Sequence, residues 1–312
     1  MINIFTEAGI KQGFGHLSRC CALYDESSAL GYDTRLIVNT TEDLPEMPRK
    51  IITADWCDLS VLMPLLKDFG KVIIDSYEAD LCVYETIGAN CSVALYIDDY
   101  MRLEYPKGIV VNPSLHGGKM PYRKKSGVQY FGGTNYVIVR PEFQNVPRIN
   151  RNNDRNRILI TMGGSDILNL TPLILDSLSK EVPSIQKYVV IGPGFVDTNE
   201  IEKAADANTK LYHSLTASQM RGLMLQVDVA ITAAGQTIYE LMSCGVPMIP
   251  VKVAANQKWN VMGLLEHGIT CLDAFETNFN HIRWKNLIKK AVEYQPLSFF
   301  GQKEIMKTLV GA

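Results

Sequence analysis

The chain of 312 residues lacks most of the features that assign a protein at once. It has no basic surplus: Lys and Arg number 31 against 33 Asp and Glu, a net charge of −2 with His neutral. Residues 1–150 hold 15 basic and 18 acidic side chains, and residues 151–312 hold 16 and 15. A broad phosphate footprint needs clustered cations, so nucleic-acid binding is not expected. No run approaches the roughly 18–20 apolar residues that cross a bilayer, so no integral membrane segment is expected. Met1-Ile2-Asn3-Ile4-Phe5 lacks a basic n-region and reads as a first strand, not a signal peptide. The seven cysteines include no CxxC pair and are scattered through apolar segments, the pattern of buried thiols in a reducing cytoplasm. The five histidines show neither HxH nor HExxH spacing, and Walker A and GxSxG sequences are absent. No metal and no cofactor is therefore expected, and the expected location is cytoplasmic.

What is present is ordinary globular material, 46% apolar and 21% charged. At about 150 residues per domain the length suggests two domains. Short β-rich runs alternate with helical patterns. Strands are expected at Ile2–Phe5, Thr34–Val38, Lys71–Ile74, Val93–Ile97, Ile109–Val111 and Tyr136–Val139, then at Arg157–Thr161, Lys187–Ile191, Lys210–Tyr212, Val229–Ile231 and Pro247–Pro250. Helices are expected at Leu17–Leu30, Val61–Phe69, Leu170–Leu178, Ala217–Leu225, Thr237–Cys244, Gln257–His267 and His281–Glu293. This alternation predicts parallel α/β sheets. The polar stretch from Asn150 to Arg157 follows Pro147 and reads as linker. The expected division is residues 1–146, a linker at 147–156, and residues 157–312, with the last helix a candidate to pack back on the first domain. Two such sheets facing each other would form a cleft beyond their carboxyl ends.

Four loops carry chemistry. Gly13-Phe14-Gly15-His16 lies between the first strand and first helix. An imidazole there suits a general base, and the positive helix end is expected to push its pKa down; a structural turn histidine is the bland alternative. Met162-Gly163-Gly164-Ser165-Asp166, with Asn169 after it, exposes amides and a hydroxyl to a phosphate or sugar, or simply caps a helix. In Gly235-Gln236-Thr237-Ile238-Tyr239-Glu240 the turn offers donors to a pyrophosphate, and Glu240 sits where a carboxylate could accept ribose hydroxyls or complete a capping box with Thr237. Asn256 and Gln257 sit at a further strand-to-helix turn. Asp75, Tyr77, Asp98 and Asp99 follow strands of the first half.

These segments resemble the UDP-sugar hydrolases of pseudaminic acid biosynthesis and the related spore-coat polysaccharide biosynthesis proteins. The likeness runs from Gly13–His16 with Arg19, through Ile73–Tyr77, Ile97–Asp99 and Tyr136–Phe143, to Met162–Leu170 and Ala255–Gln257. It implies the GT-B architecture, two Rossmann-like domains facing across a cleft. It further implies hydrolysis of UDP-2,4-diacetamido-2,4,6-trideoxy-β-L-altropyranose by inverting water attack at C1, in nonulosonic acid synthesis. In that reading His16 is the base, with Tyr77 and Asp99 as catalytic companions. Gly15, Arg19, Asp98, Gly164, Ser165, Asn169, Gly235, Gln236, Thr237, Glu240, Asn256 and Gln257 contact the substrate. The partner is the UDP-sugar, and the chain is a monomer or weak dimer. Ser76 stands where relatives often carry histidine, and Gln236 where they carry small residues or hydroxyls. The alternatives are an inverting GT-B glycosyltransferase in surface polysaccharide synthesis, a nucleotide-sugar 2-epimerase, and a non-catalytic nucleotide-sugar binder.

Overall fold

The computed structural model describes residues 1–312 except 10–12, 45–47, 67–69, 148–154, 196 and 292. Its contacts divide the chain into two units, Met1–Arg140 with Phe299–Ala312, and Pro141–Ser298. Most of the stretch expected to be a linker lies outside the described residues.

The first unit carries β1 (Ile2–Glu7), α1 (Gly15–Ala29), β2 (Thr34–Asn39), β3 (Ile51–Thr53), α2 (Leu59–Leu65), β4 (Lys71–Asp75), α3 (Leu81–Asn90), β5 (Val93–Ile97), β6 (Gly108–Asn112) and β7 (Val128–Gly132). The second carries β8 (Arg157–Thr161), α4 (Leu170–Glu181), β9 (Gln186–Ile191), α5 (Asn199–Ala204), β10 (Thr209–His213), α6 (Ala217–Met224), β11 (Val229–Ala233), α7 (Thr237–Ser243), β12 (Met248–Lys252), α8 (Lys258–Glu266), β13 (Leu272–Asp273) and α9 (Trp284–Lys290). The chain closes with α10 (Gly301–Val310), which belongs to the first unit.

Both sheets are parallel throughout, in the orders β3-β2-β1-β4-β5-β6-β7 and β10-β9-β8-β11-β12-β13. Each repeats the doubly wound pattern that runs outward in both directions from its first strand. The order reverses between β1 and β4 in one unit and between β8 and β11 in the other, and ligands of such sheets bind at that reversal. The strands are apolar on both faces because helices cover both, as parallel sheets require. In the first unit α1 contributes Leu17, Cys20 and Leu23 to a core with Ile4, Ile73 and Leu95, closed by Ile305, Met306 and Leu309 of α10. The opposite face buries Phe5, Trp56, Tyr84 and Tyr96. In the second unit Ile158, Ile160, Val189 and Ile231 pack against Ile174, Leu178 and Trp284.

The sheets contain three strands that periodicity alone does not mark, β3, β7 and the two-residue β13. The strand expected at Tyr136–Val139 does not form. That segment follows a 3-10 turn at Thr134–Tyr136, and its carbonyls meet α10 instead of a neighbouring strand: Val137 O accepts from Gly301 N at 2.9 Å and Val139 O from Gln302 Nε2 at 3.3 Å. α2 starts at Leu59, where Asp58 caps Ser60 N, and Phe69 lies outside the described residues. None of the seven cysteines is joined in a disulfide, and Cys82 departs from the expected burial by standing exposed.

Candidate functional site

Register assembles the first cluster. Thr6 of β1 lies opposite Asp75 of β4, and Asp75 opposite Ile97 of β5. Glu7, Ser76 and Asp98 therefore follow one step further along the same sheet edge. The turn at Gly13, held by paired hydrogen bonds with Gly9, leads into α1. Gly15 is exposed at the helix start, and His16 and Arg19, three residues apart, share one helix face turned to that edge.

Arg19 binds two carboxylates at once. Its Nε and Nη2 donate to Asp75, the latter at 2.5 Å, and its Nη1 and Nη2 donate to Asp99 at 2.8 Å each. His16 Nδ1 lies 3.2 Å from Asp75 Oδ1. The Tyr77 hydroxyl donates to Asp99, and its ring stands edge-on to His16, centroids 4.1 Å apart at 87°. Tyr100 packs edge-on to Tyr77 at 5.2 Å. Asp75 is 0% exposed, His16 6% and Arg19 7%.

Burial opposes charge on His16, but the Asp75 carboxylate, by its charge and its hydrogen bond, outweighs burial and raises the imidazole above its usual 6.5. The downward shift expected from the helix end is thus overturned: an ion partner at contact distance exceeds a partial charge spread over a helix terminus. Burial likewise works against the Asp75 anion, and Arg19 with His16 holds it well below the usual carboxylate range. Burial and the Asp99 charge push the Tyr77 phenol up, so it remains a donor. With Nδ1 turned to Asp75, Nε2 is the ring nitrogen left to exchange a proton with a ligand.

Two residues differ from expectation. Asp98, placed by sequence among the substrate contacts, commits both oxygens to its own loop: it accepts from Tyr100 N, Met101 N and Arg102 N at 3.3, 2.9 and 3.2 Å and from the Tyr122 hydroxyl at 2.6 Å. It shapes the loop that presents Asp99. Glu7 was not singled out by sequence, yet it is 0% exposed, accepts from Tyr77 N at 2.7 Å and from the Ser76 hydroxyl, and lies 3.9 Å from His16 Nδ1. Its one visible signal is an acidic residue closing an apolar strand.

In the second unit four turns follow β8, β9, β11 and β12. Gly163 takes φ +85°, and Gly194 N donates to Gly164 O at 2.8 Å. A Cβ on Gly192 would sit 2.5 Å from that carbonyl, so the Gly192–Gly194 turn packs directly on Gly163–Ser165. Asp166 caps α4, accepting from Leu170 N at 2.9 Å and Thr171 N at 2.6 Å. Asn169 takes φ +50° and donates to Glu200 at 2.5 Å, on an exposed surface. After β11, Gly235, Gln236 and Thr237 are half-buried, and Glu240 is buried. The capping box suggested for Thr237 and Glu240 does not form, because the helix cap is Gln236 and its side chain does not cap. Gln257 Oε1 accepts from Val253 N at 2.8 Å, and Gln257 Nε2 would lie 3.7 Å from a Cβ on Gly235. Asn260 donates to Ala234 O at 2.9 Å and ties α8 to the β11 turn. The buried Asn256 Oδ1 has no hydrogen-bond partner among the described residues. Among the described residues no group of three or more His, Cys, Asp or Glu side chains is arranged to hold a metal ion. No helix among them is long and apolar enough to cross a membrane.

These features define a class: a two-domain α/β protein with the GT-B fold. Solved structures share it across the whole chain. Acinetobacter baumannii MurG gives a TM-score of 0.62 at 13% identity, covering 100% of this chain and 99% of its own. Anabaena Alr3699/HepE, solved with UDP and glucose, gives 0.61 at 12% identity, covering 100% of each chain.

No protein-family model matches. Among curated proteins the chain is 25% identical over 266 residues to the uncharacterized protein MJ1062 of Methanocaldococcus jannaschii, covering 80% of this chain and 54% of that one. It is 24% identical over 261 residues to the pseudaminic acid cytidylyltransferase and UDP-2,4-diacetamido-2,4,6-trideoxy-beta-L-altropyranose hydrolase of Helicobacter pylori, covering 82% and 45%. It is 24% identical over 280 residues to the Bacillus subtilis spore coat polysaccharide biosynthesis protein SpsG, covering 82% and 78%. The chain thus spans about half the length of the first two.

Proposed function

We propose that the protein is a nucleotide-sugar hydrolase that releases UDP from a UDP-linked diacetamido-trideoxyhexose by inverting attack of water at C1. The observation that carries this reading is the buried His16–Asp75–Arg19–Asp99 chain, which orients an imidazole and raises its basicity. His16 Nε2 takes a proton from water as the C1–O bond to UDP breaks. Asp75 holds Nδ1 and stabilises the imidazolium that forms. Tyr77, fixed by Asp99 and by Glu7 at its backbone, orders the sugar beside the ring. The nucleotide end is assigned to the second unit. Amides of Gly164, Ser165, Gly235, Gln236 and Thr237 receive the leaving diphosphate, an oxyanion-type stabilisation. Glu240 serves the ribose, and Asn256 and Gln257 the phosphate or sugar. Two of the curated relatives, one named as this hydrolase and one for polysaccharide biosynthesis, support the substrate class. A second reading, transfer to a sugar or lipid acceptor, is favoured by the glycosyltransferases that share the fold.

The test is UDP release from UDP-2,4-diacetamido-2,4,6-trideoxy-β-L-altropyranose, without acceptor and with EDTA, for wild type and His16→Asn. Hydrolysis predicts rapid release that falls about 10²-fold or more in the variant while UDP binding persists. Release only on addition of an acceptor would replace hydrolysis by transfer, and an unchanged kcat in His16→Asn would remove the base.

A further inference from the structure

At the carboxyl ends of β6 and β7 the first unit holds a cavity of about 400 Å³ that the proposed reaction does not use. Its floor is bare backbone. A Cβ on Gly117 would sit 2.3 Å from Asn112 O, and one on Gly132 would sit 2.6 Å from Gly117 O. Neither position admits a side chain, so peptide groups line that wall. Four half-buried rings, Tyr122, Tyr130, Phe131 and Tyr136, line it together with Met120, and Lys124 stands exposed beside them. Tyr122 and Tyr130 stack at 4.8 Å, and Phe131 and Tyr136 tilt together at 5.7 Å.

We infer that this pocket is a carbohydrate subsite for one pyranose ring. A pyranose has an apolar C–H face and a perimeter of hydroxyls. The rings match the first; the peptide groups of the glycine floor and the Lys124 ammonium match the second. The volume sits near the lower end of small-molecule pockets, the size of a monosaccharide and not of a nucleotide sugar. β6 and β7 lie two and three strands from β4, roughly 10–15 Å at about 4.8 Å per strand. A sugar in the pocket is therefore a second ring, distinct from one whose bond meets His16. Tyr122 connects the two places. Its hydroxyl donates to Asp98 at 2.6 Å, and the next residue, Asp99, holds Arg19 and Tyr77.

The test contains no nucleotide sugar, so its outcome is separate from that of the hydrolysis assay. Amide NMR spectra of the full chain are titrated with the methyl β-glycosides of glucose, N-acetylglucosamine and glucuronic acid, with glycerol as a polyol lacking a ring face. The Gly118 and Gly132 amides shift with at least one glycoside in the millimolar range and not with glycerol. Tyr130→Ala weakens that binding about tenfold, and Tyr130→Phe, which keeps the ring, does not. If Tyr130→Ala does not fold, the wild-type shift map decides alone. No shift with any glycoside, equal shifts with glycerol, or shifts confined to residues elsewhere would each overturn the subsite.

Discussion

At the scale of single residues, Asp75 is the hinge of the first cluster. It is buried, carries the Arg19 fork and meets His16, while Cys20 Sγ lies 3.5 Å from the same carboxylate. Removing its charge leaves the buried Arg19 paired with Asp99 alone and takes from His16 the carboxylate that raises it. Asp75→Asn should cost about 3–5 kcal/mol in denaturant unfolding, the range for breaking one side of a buried pair. It should also change the pH profile. In the proposed reaction His16 acts as a base only when neutral, and Asp75 raises its pKa above the usual 6.5. In wild type, kcat therefore rises with pH through a limb above 6.5. In Asp75→Asn burial dominates, and NMR titration of the His16 ring should show that limb moved to lower pH. An unmoved limb would assign it to another group.

Stability follows the same signs. The raised His16 contributes fully below 6.5 and fades as pH rises through its folded value. The depressed Asp75 contributes above 3.8 and is lost as pH falls. Their shared contribution is thus largest between those two values. Of these residues His16 was legible in the sequence, because a glycine turn before a helix marks it. Glu7 was not, since only the pairing of β1 with β4 reveals what its carboxylate meets.

At the scale of elements, short turns after parallel strands carry the candidate chemistry. Their nesting is steric. Gly192→Ala places a methyl against the Gly164 carbonyl and must displace the Gly163–Ser165 turn. UDP affinity measured by calorimetry should fall about tenfold or more, near 1.4 kcal/mol, with the His16 titration unchanged. Equal affinity would remove this turn from the nucleotide reading. Most helices and strands were readable from periodicity. Val137–Val139 shows why the rest were not: an apolar β-branched run satisfies its backbone wherever partners stand, and here the partner is the start of α10.

At the scale of the whole molecule, the last segment returns to the first unit. Ile305, Met306 and Leu309 of α10 are each 0% exposed in the core with Leu17 and Ile138, and Lys71 Nζ donates to Leu309 O at 2.9 Å. Ending the chain at Ser298 removes four buried apolar side chains, these three and Phe299, each worth about 1.5–3 kcal/mol. The first unit should then melt at lower temperature, reported by Trp56, which lies within it. The second unit, reported by Trp284, should melt unchanged. A single common shift would mean that the units unfold as one.

The sequence by itself determined the α/β class, the alternation of strands and helices, and the glycine turns, because backbone propensity and period are local properties. It also set aside nucleic-acid binding as an expectation from charge balance. Only the tertiary structure decided the rest. Parallel register brings Glu7, Asp75 and Asp99 from three separate strands to one edge, and packing sets which of two like carboxylates, Asp98 or Asp99, faces Arg19. It also raises His16 where the helix end alone would lower it. Those outcomes depend on contacts such as Arg19–Asp75, His16–Asp75 and Arg19–Asp99, between residues 56 to 80 positions apart in the chain, and no local pattern encodes a distance of that kind.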